Sequence, residues 1–201
     1  TELVLELRAL TRNYYDLTDE RASHVIAIKT ALHTVFPQYL DIFSDILGTT
    51  SKLILRQYPT PDKILRGHKK TMIEKISTAS RKGLTKATER YEKLIHAATC
   101  AKSFGCKVDS IYFNIQLKLD VIDCLDLSIS KTMERVIYLL DEYKNHTFVN
   151  QIRLLDTIPE VGLLTAVSIM CELGDFSAFK SPKQLFAYFG MDPNVNESGK
   201  F

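Results

Sequence analysis

"VDSIYFNIQLKLDVIDCLDLSISKTMERVIYLLDEY", Val108 to Tyr143, carries apolar side chains at Val108, Ile111, Ile115, Ile122, Leu125, Ile129, Val136, Leu139 and Tyr143. These positions keep a heptad spacing over about five repeats, with Lys118 and Thr132 as the off-pattern members. Steps of three and four put one side-chain stripe along a helix, and such a stripe must pack against another helix. Two partners satisfy it equally well: a preceding helix of the same chain, predicted over Thr71 to Phe104, or a second copy of the chain.

Working outward, the N-terminal segment repeats the pattern. Leu3, Leu7, Leu10, Tyr14, Leu17, Ile28 and Val35 form one long seam, on which Arg21 and His24 occupy stripe positions. Pro37 marks an interruption. The Asp41 to Leu47 stretch is expected to end at Gly48 in a left-handed cap, followed by a polar connection. In Tyr58-Pro59-Thr60-Pro61 each proline biases its predecessor away from helix, and Thr60 reads as a turn before the next one. Gly105 is expected to break the second long helix before a third begins near Asp109, so the two make a helical hairpin. The fold class is therefore all-α: a long helical hairpin or coiled coil over residues 1–147, then a smaller helical domain over 148–201.

The chain has 201 residues, 45% of them hydrophobic, enough to bury a real core. Its longest apolar run, Leu163 to Cys171, is interrupted by Thr165 and Ser168 and is far shorter than the roughly 20 residues of a bilayer span. Glu2 and Glu6 at the start do not suit a secretory signal. Cys100, Cys106, Cys124 and Cys171 lack a paired C-x-x-C spacing and read as reduced thiols, so the expected compartment is the cytoplasm. Without an initiator Met, and ending at "NESGKF", the chain reads as a piece of a longer protein.

Charge is uneven. Residues 51–107 carry 14 Lys or Arg against 4 Asp or Glu, a local +10, and the rest carries −8. Arg66, Lys69, Lys70, Arg81, Lys82, Lys86 and Arg90 can each neutralise a phosphate, and those three to five residues apart can share a helix face. The blander reading is a solvated face turned towards the acidic remainder.

In "FVNQIRLLDTIPEVGLLTAVSIMCELGD" an apolar helix runs into Ile158-Pro159-Glu160-Val161-Gly162, and another starts at once with Ala166, Ile169 and Met170 facing inward. Two helices joined in this way form a helix-hairpin-helix. Its second helix would offer a phosphate the backbone amides from Gly162 to Thr165, glycine allowing close approach; a packed helix turn is the alternative. Gly174 ends that helix, Phe176 and Phe179 are apolar anchors, and Ser181 with Gln184 suggests a capping box, Pro182 standing first in the helix and Gly190 closing it before Pro193. Phe179, Phe186, Tyr188 and Phe189 can stack bases or fill a small core. His96, Cys100 and Cys106 bring a possible zinc pair one helical turn apart, but no fourth ligand follows, so no metal site is assigned.

"IPEVGLLTA" followed by "CELGDFSAFKSPKQLFAYFGMDPNVNESGK" resembles the C-terminal domain of the bacterial insertion-sequence transposases related to the pilin-gene invertase, whose better-known members are guided by a bridge RNA. The resemblance spans about residues 151–201, with weaker similarity through residues 1–47. It implies DNA and a guide RNA as partners, a homo-dimer or higher assembly, and no membrane. In that family a RuvC-like domain with an Asp-Glu-Asp-Asp tetrad lies upstream of this region, and no counterpart of the tetrad stands here. The resemblance implies Mg²⁺ for the family's complete enzymes, with no cofactor in this region alone. It also implies that Ser198 in "NESGK" attacks a DNA phosphodiester, with Lys200 stabilising phosphate charge. Glu160 departs from the family, which has glycine there, and its carboxylate would repel a phosphate at the hairpin. The rival function is a non-enzymatic nucleic-acid-binding scaffold that uses the hairpin and the basic block as phosphate clamps.

Overall fold

A computed structural model describes residues 2–103, 108–174 and 176–191. Among the described residues all regular structure is helical, as the periodicity requires. The α-helices are α1 (Glu2–Val35), α2 (Thr49–Gln57), α3 (Pro61–Arg66), α4 (Lys69–Ser80), α5 (Gly83–Ser103), α6 (Asp109–Glu142), α7 (Thr147–Asp156), α8 (Leu163–Leu173) and α9 (Pro182–Tyr188), with 3-10 turns at Pro37–Asp41 and Phe176–Ala178. Contacts divide the chain into one unit of residues 14–131 and another of residues 1–13 with 132–201.

In the first unit, Ile28, Leu32 and Val35 of α1, Leu94, Ala97, Ala98 and Ala101 of α5, and Tyr112, Ile115, Leu119 and Ile122 of α6 share one core. The predicted seam is thus buried within its own chain, and not only against α5. The Tyr112 hydroxyl donates to the Val35 carbonyl (3.2 Å) and Arg21 pairs with Asp126, so α1 and α6 run antiparallel here. Arg21, off-pattern on the α1 seam, is there to meet a carboxylate. Tyr39, 1% exposed, packs between Phe36 and Phe43, and its hydroxyl bonds Ser51 at 3.0 Å. Burial pushes the Tyr39 phenol well above its ordinary value, the Ser51 hydrogen bond opposing in part.

Three sequence expectations change here. The Asp41–Leu47 stretch is not helical beyond its first residue but turns, with Asp45 Oδ1 accepting from Leu47 N–H (2.9 Å). Gly48 does not close a helix in a left-handed cap: at φ −56°, ψ 148° it opens α2, which fills the span read as a polar connection. The helix expected over Thr71–Phe104 is two, because Arg81 (φ 53°) and Gly83 (φ 77°) turn left-handed between α4 and α5. Gly83 was the readable signal of that break. Thr60 caps α3 by accepting from Lys63 N–H at 3.2 Å, and α6 begins at Asp109, both as expected, whereas Gly105 lies outside the described residues.

In the other unit Leu3 and Leu7, then Val136, Leu139 and Leu140, close a core with Phe148, Val149 and Ile152 of α7 and Ala166, Val167, Met170 and Cys171 of α8. Arg8 donates from Nε to the Cys171 carbonyl at 3.0 Å, meeting the negative end of α8, and Arg12 pairs with Glu172 at 2.9 Å. Burial pushes the Cys171 thiol up to about 11 against the opposing Arg8 charge, so it stays protonated and packs as a small hydrophobe.

Across the first unit the acidic face of α6 holds α2. Lys52 and Arg56 both pair with Asp123, Arg56 reaches Asp120 at 2.6 Å, and Gln116 donates to the Leu55 carbonyl at 2.7 Å. Burial raises the Asp123 carboxyl, but Lys52 and Arg56 outweigh it and hold the group below its ordinary 3.8. A carboxylate with a lowered folded value stabilises above the unfolded value and loses that contribution as pH falls through the folded one. Asp123→Asn should therefore lower the melting temperature at pH 7 by a modest margin. That margin should shrink towards zero below pH 3.8. Melting curves with a margin independent of pH would exclude the ionic account.

Candidate nucleic-acid interface

The basic residues of the 51–107 block separate into two populations. Lys52 and Arg56 are held by α6 carboxylates, and Lys102 pairs with Asp62 at 3.1 Å. Arg66, Lys69, Lys70, Arg81, Lys82, Lys86 and Arg90 have no carboxylate partner within 4.0 Å among the described residues. All of these are exposed except Arg90, which is half-buried. The seven lie on α3, α4, α5 and the α4–α5 turn, all in one unit.

The structure brings some of them together and keeps others apart. Lys82 and Arg90 line one 210 Å³ pocket, with Arg90 seated over the Phe43 ring at 5.3 Å. Lys69 lies over Tyr91 at 5.7 Å, and Arg66 lines a separate pocket with Lys63, Asp109, Phe113 and Gln116. Lys70, Arg81 and Lys86 stand exposed and line neither pocket. An unpaired cation in water keeps its charge available to a phosphate, whereas a paired one must first lose its partner.

The turn between α7 and α8 is tighter than its sequence alone conveys. Val161 N–H donates to the Ile158 carbonyl (3.0 Å), Pro159 takes the second position, and Glu160 sits at φ 70°. That is a type II turn, whose third position favours glycine. The carboxylate at Glu160 is exposed, so the departure from glycine is both an electrostatic and a backbone matter. Gly162 caps α8 at φ −78°, ψ 163°, with no side-chain cap, and a Cβ there would meet nothing within 4 Å. Its backbone does not require glycine. Ala166 N–H makes the first bond back to Gly162 (3.0 Å), so the amides of Leu163, Leu164 and Thr165 are left at the helix start, with Gly162 and Thr165 both exposed.

Further along, the expected capping box of α9 forms only in part. Gln184 Oε1 accepts from Lys180 N–H at 2.8 Å, one residue before the box position, and the Ser181 hydroxyl makes no cap. Gly190 (φ 67°) closes α9 as expected, with Met191 N–H on the Phe186 carbonyl and Gly190 N–H on that of Ala187. Phe186, Tyr188 and Phe189 are exposed, and α9 buries none of its residues among those described, so they do not form a small core there. Ser198, Lys200 and Pro193 lie outside the described residues, as does Cys106. Cys100 Sγ stands 4.0 Å from His96 Nδ1, and among the described residues no three His, Cys, Asp or Glu gather as metal ligands.

A family model described as Transposase IS116/IS110/IS902 family matches residues 152–201, which include the α7–α8 turn, α8 and α9. Neither the curated proteins nor the solved structures contain a match to the chain. No helix among the described residues is long and apolar enough to cross a membrane.

A non-glycine residue in the left-handed region carries strain of about 1 kcal/mol or more. Glu160→Gly should remove it and raise stability by roughly 1 kcal/mol, less the added unfolded-chain entropy of glycine. Chemical denaturation gives the measurement, and a clear loss of stability would mean that the Glu160 side chain is itself a structural contact.

Proposed function

We propose that the chain is part of a DNA transposase of the IS110 type, in which the basic helices and the α7–α8 turn bind nucleic acid and Ser198 supplies the attacking hydroxyl. The observation that carries this reading is the family match over residues 152–201. It supports transposition and DNA as a partner. The guide RNA, the nucleophilic serine and the Mg²⁺ of the complete enzyme are our extension of it.

The unpaired cations support nucleic-acid binding by a physical argument. Each phosphate neutralised releases condensed counterions, so affinity should fall steeply with salt, with a slope set by the number of contacts. The start of α8 supports a phosphate contact as well: its first amides have no side-chain cap, Gly162 leaves the approach open, and the positive end of the helix lies behind them. This is the role of a helix-hairpin-helix. It reads no sequence, which suits a protein whose target is chosen by a guide RNA.

The predicted seam is buried within its own chain, so for self-association we propose another face. With Ile115, Leu119 and Ile122 buried in the chain, Phe113, Leu117 and Val121 remain exposed at four-residue spacing along α6. We assign the dimer contact to this stripe. Light scattering of the chain should give a dimer that Leu117→Asp converts to a monomer, and a wild-type monomer at high concentration would exclude the contact.

One experiment separates transposase from binding scaffold. In the complete protein carrying these residues, Ser198→Ala should abolish strand exchange and the covalent protein–DNA adduct while leaving nucleic-acid affinity within about twofold, because a single hydroxyl adds little to phosphate binding. Reversing the charges of Lys69, Lys70, Arg81 and Lys82 should weaken binding and flatten its salt dependence. Full strand exchange by the Ser198→Ala protein, with salt-dependent binding retained, would leave the non-enzymatic scaffold as the better reading.

A further inference from the structure

We infer that the pocket at the start of α2 is a phosphate site, with a backbone phosphodiester of the bound nucleic acid as its ligand. The inference rests on the nucleic-acid reading above and assigns it one specific contact. The pocket is lined by Asp45, Gly48, Thr49, Thr50, Ser51, Ser80, Lys82 and Arg90, among others, and has a volume of about 210 Å³. A phosphate group and its remaining water shell fit that space.

Three kinds of donor meet there. The first intrahelical bond of α2 is Lys52 N–H to the Gly48 carbonyl (2.9 Å), which leaves the amides of Thr49, Thr50 and Ser51 without a backbone acceptor, and Gly48 provides no side chain to cap them. The cations Lys82 and Arg90 have no carboxylate partner among the described residues, and Phe43 beneath the guanidinium holds Arg90 in place. The third is Thr50. It is 7% exposed, its hydroxyl makes no hydrogen bond among the described residues, and it lines the pocket. An unengaged hydroxyl on the wall of the pocket is free to donate, and an oxyanion at this place would accept from it.

The other hydroxyls do not compete equally. Ser51 is already engaged by the Tyr39 hydroxyl at 3.0 Å, and Ser80 Oγ accepts from Lys82 N–H at 3.4 Å. Asp45 is the one acidic member of the lining, and it turns one carboxylate oxygen to its own Leu47 amide (2.9 Å). Two cations and a helix N-terminus, worth about half a positive charge, outweigh it. The site is assembled from α2, the α4–α5 turn and α5, so the left-handed bend at Arg81, unforeseen in the sequence, is what brings Lys82 to the amides of α2.

Thr50→Val keeps the shape and removes only the hydroxyl. It should weaken binding of a short nucleic-acid duplex roughly fivefold to tenfold at every salt concentration without changing the slope against salt, whereas Lys82→Gln should reduce that slope by about one. In the wild-type chain, the amide resonances of Thr50 and Ser51 should move on adding the duplex, a readout that depends on no variant folding. Shifts with the duplex but not with an equal concentration of inorganic phosphate identify the backbone as the source. Shifts with inorganic phosphate alone would overturn the backbone source and make this a site for free phosphate. If duplex binding persists and Thr50→Val leaves it unchanged with no amide shift, the pocket assignment is overturned while the nucleic-acid reading stands. If the wild type binds no nucleic acid and neither probe moves the amides, both fall.

Discussion

Burial of one stripe of α6 is the constraint on which both units depend. Tyr112, Ile115, Leu119 and Ile122 enter the core that holds α1 and α5, and Val136, Leu139 and Leu140 enter the core that holds α7 and α8. Each fully buried Leu, Ile or Val contributes about 1.5–3 kcal/mol, far more than any exposed ion pair in the chain. The stripe also settles where everything polar on α6 can go. Once one side is committed to the core, Asp120, Asp123 and Asp126 lie on the flanks, where Lys52, Arg56 and Arg21 meet them.

That arrangement changes the meaning of the basic segment. Net charge over a span of sequence counts every cation alike, but a phosphate competes only for those not already engaged. α6 takes up Lys52 and Arg56, at the N-terminal end of the block, and these clamp α2 in place. The cations left over run from Lys63 to Lys93, and none of them forms an ion pair with an α6 carboxylate among the described residues. The solvated-face reading assumed that the acidic remainder of the chain would neutralise the block. It does so, but selectively, and what remains is a smaller set of available cations.

Helix content and the start of α6 were legible because a three- and four-residue apolar period over many turns has no other economical explanation. The end of α9 was legible from Gly190 for a similarly local reason. What was not legible lies where a local signal was outweighed or shared. Gly83, within a run of good helix formers, was masked by its neighbours, and the bend at Arg81 followed it. Gly48 begins a helix and does not end one: glycine serves either end, and the sign of φ, negative here where a left-handed cap needs it positive, is not written in the sequence. The seam of α6 specified that a partner exists but not which, and α1 and α2 share that role with α5. Leu3 and Leu7 read as the start of one continuous seam, yet they close the core around α7 and α8, a long-range pairing that no local pattern encodes. Among the candidate site residues, the unpaired state of the cations and the convergence of Lys82 and Arg90 are three-dimensional facts. The type of each residue was readable; its availability was not.

The same distinction governs the two helix starts, α2 and α8, which present uncapped amides in different surroundings. At α8 the nearby charge is Glu160, held in a backbone conformation that suits glycine, and no basic side chain stands among Val161, Gly162 and Leu163. At α2 the uncapped amides belong to a pocket that Lys82, Arg90 and Thr50 also line. Helix dipoles of equal size then give unequal sites, because the dipole supplies about half a charge and the side chains decide the sign and strength of the rest. A chain that tolerates a carboxylate at its hairpin can still hold a polyanion if the stronger contact lies elsewhere. In this molecule the α2 pocket has the chemistry for that contact.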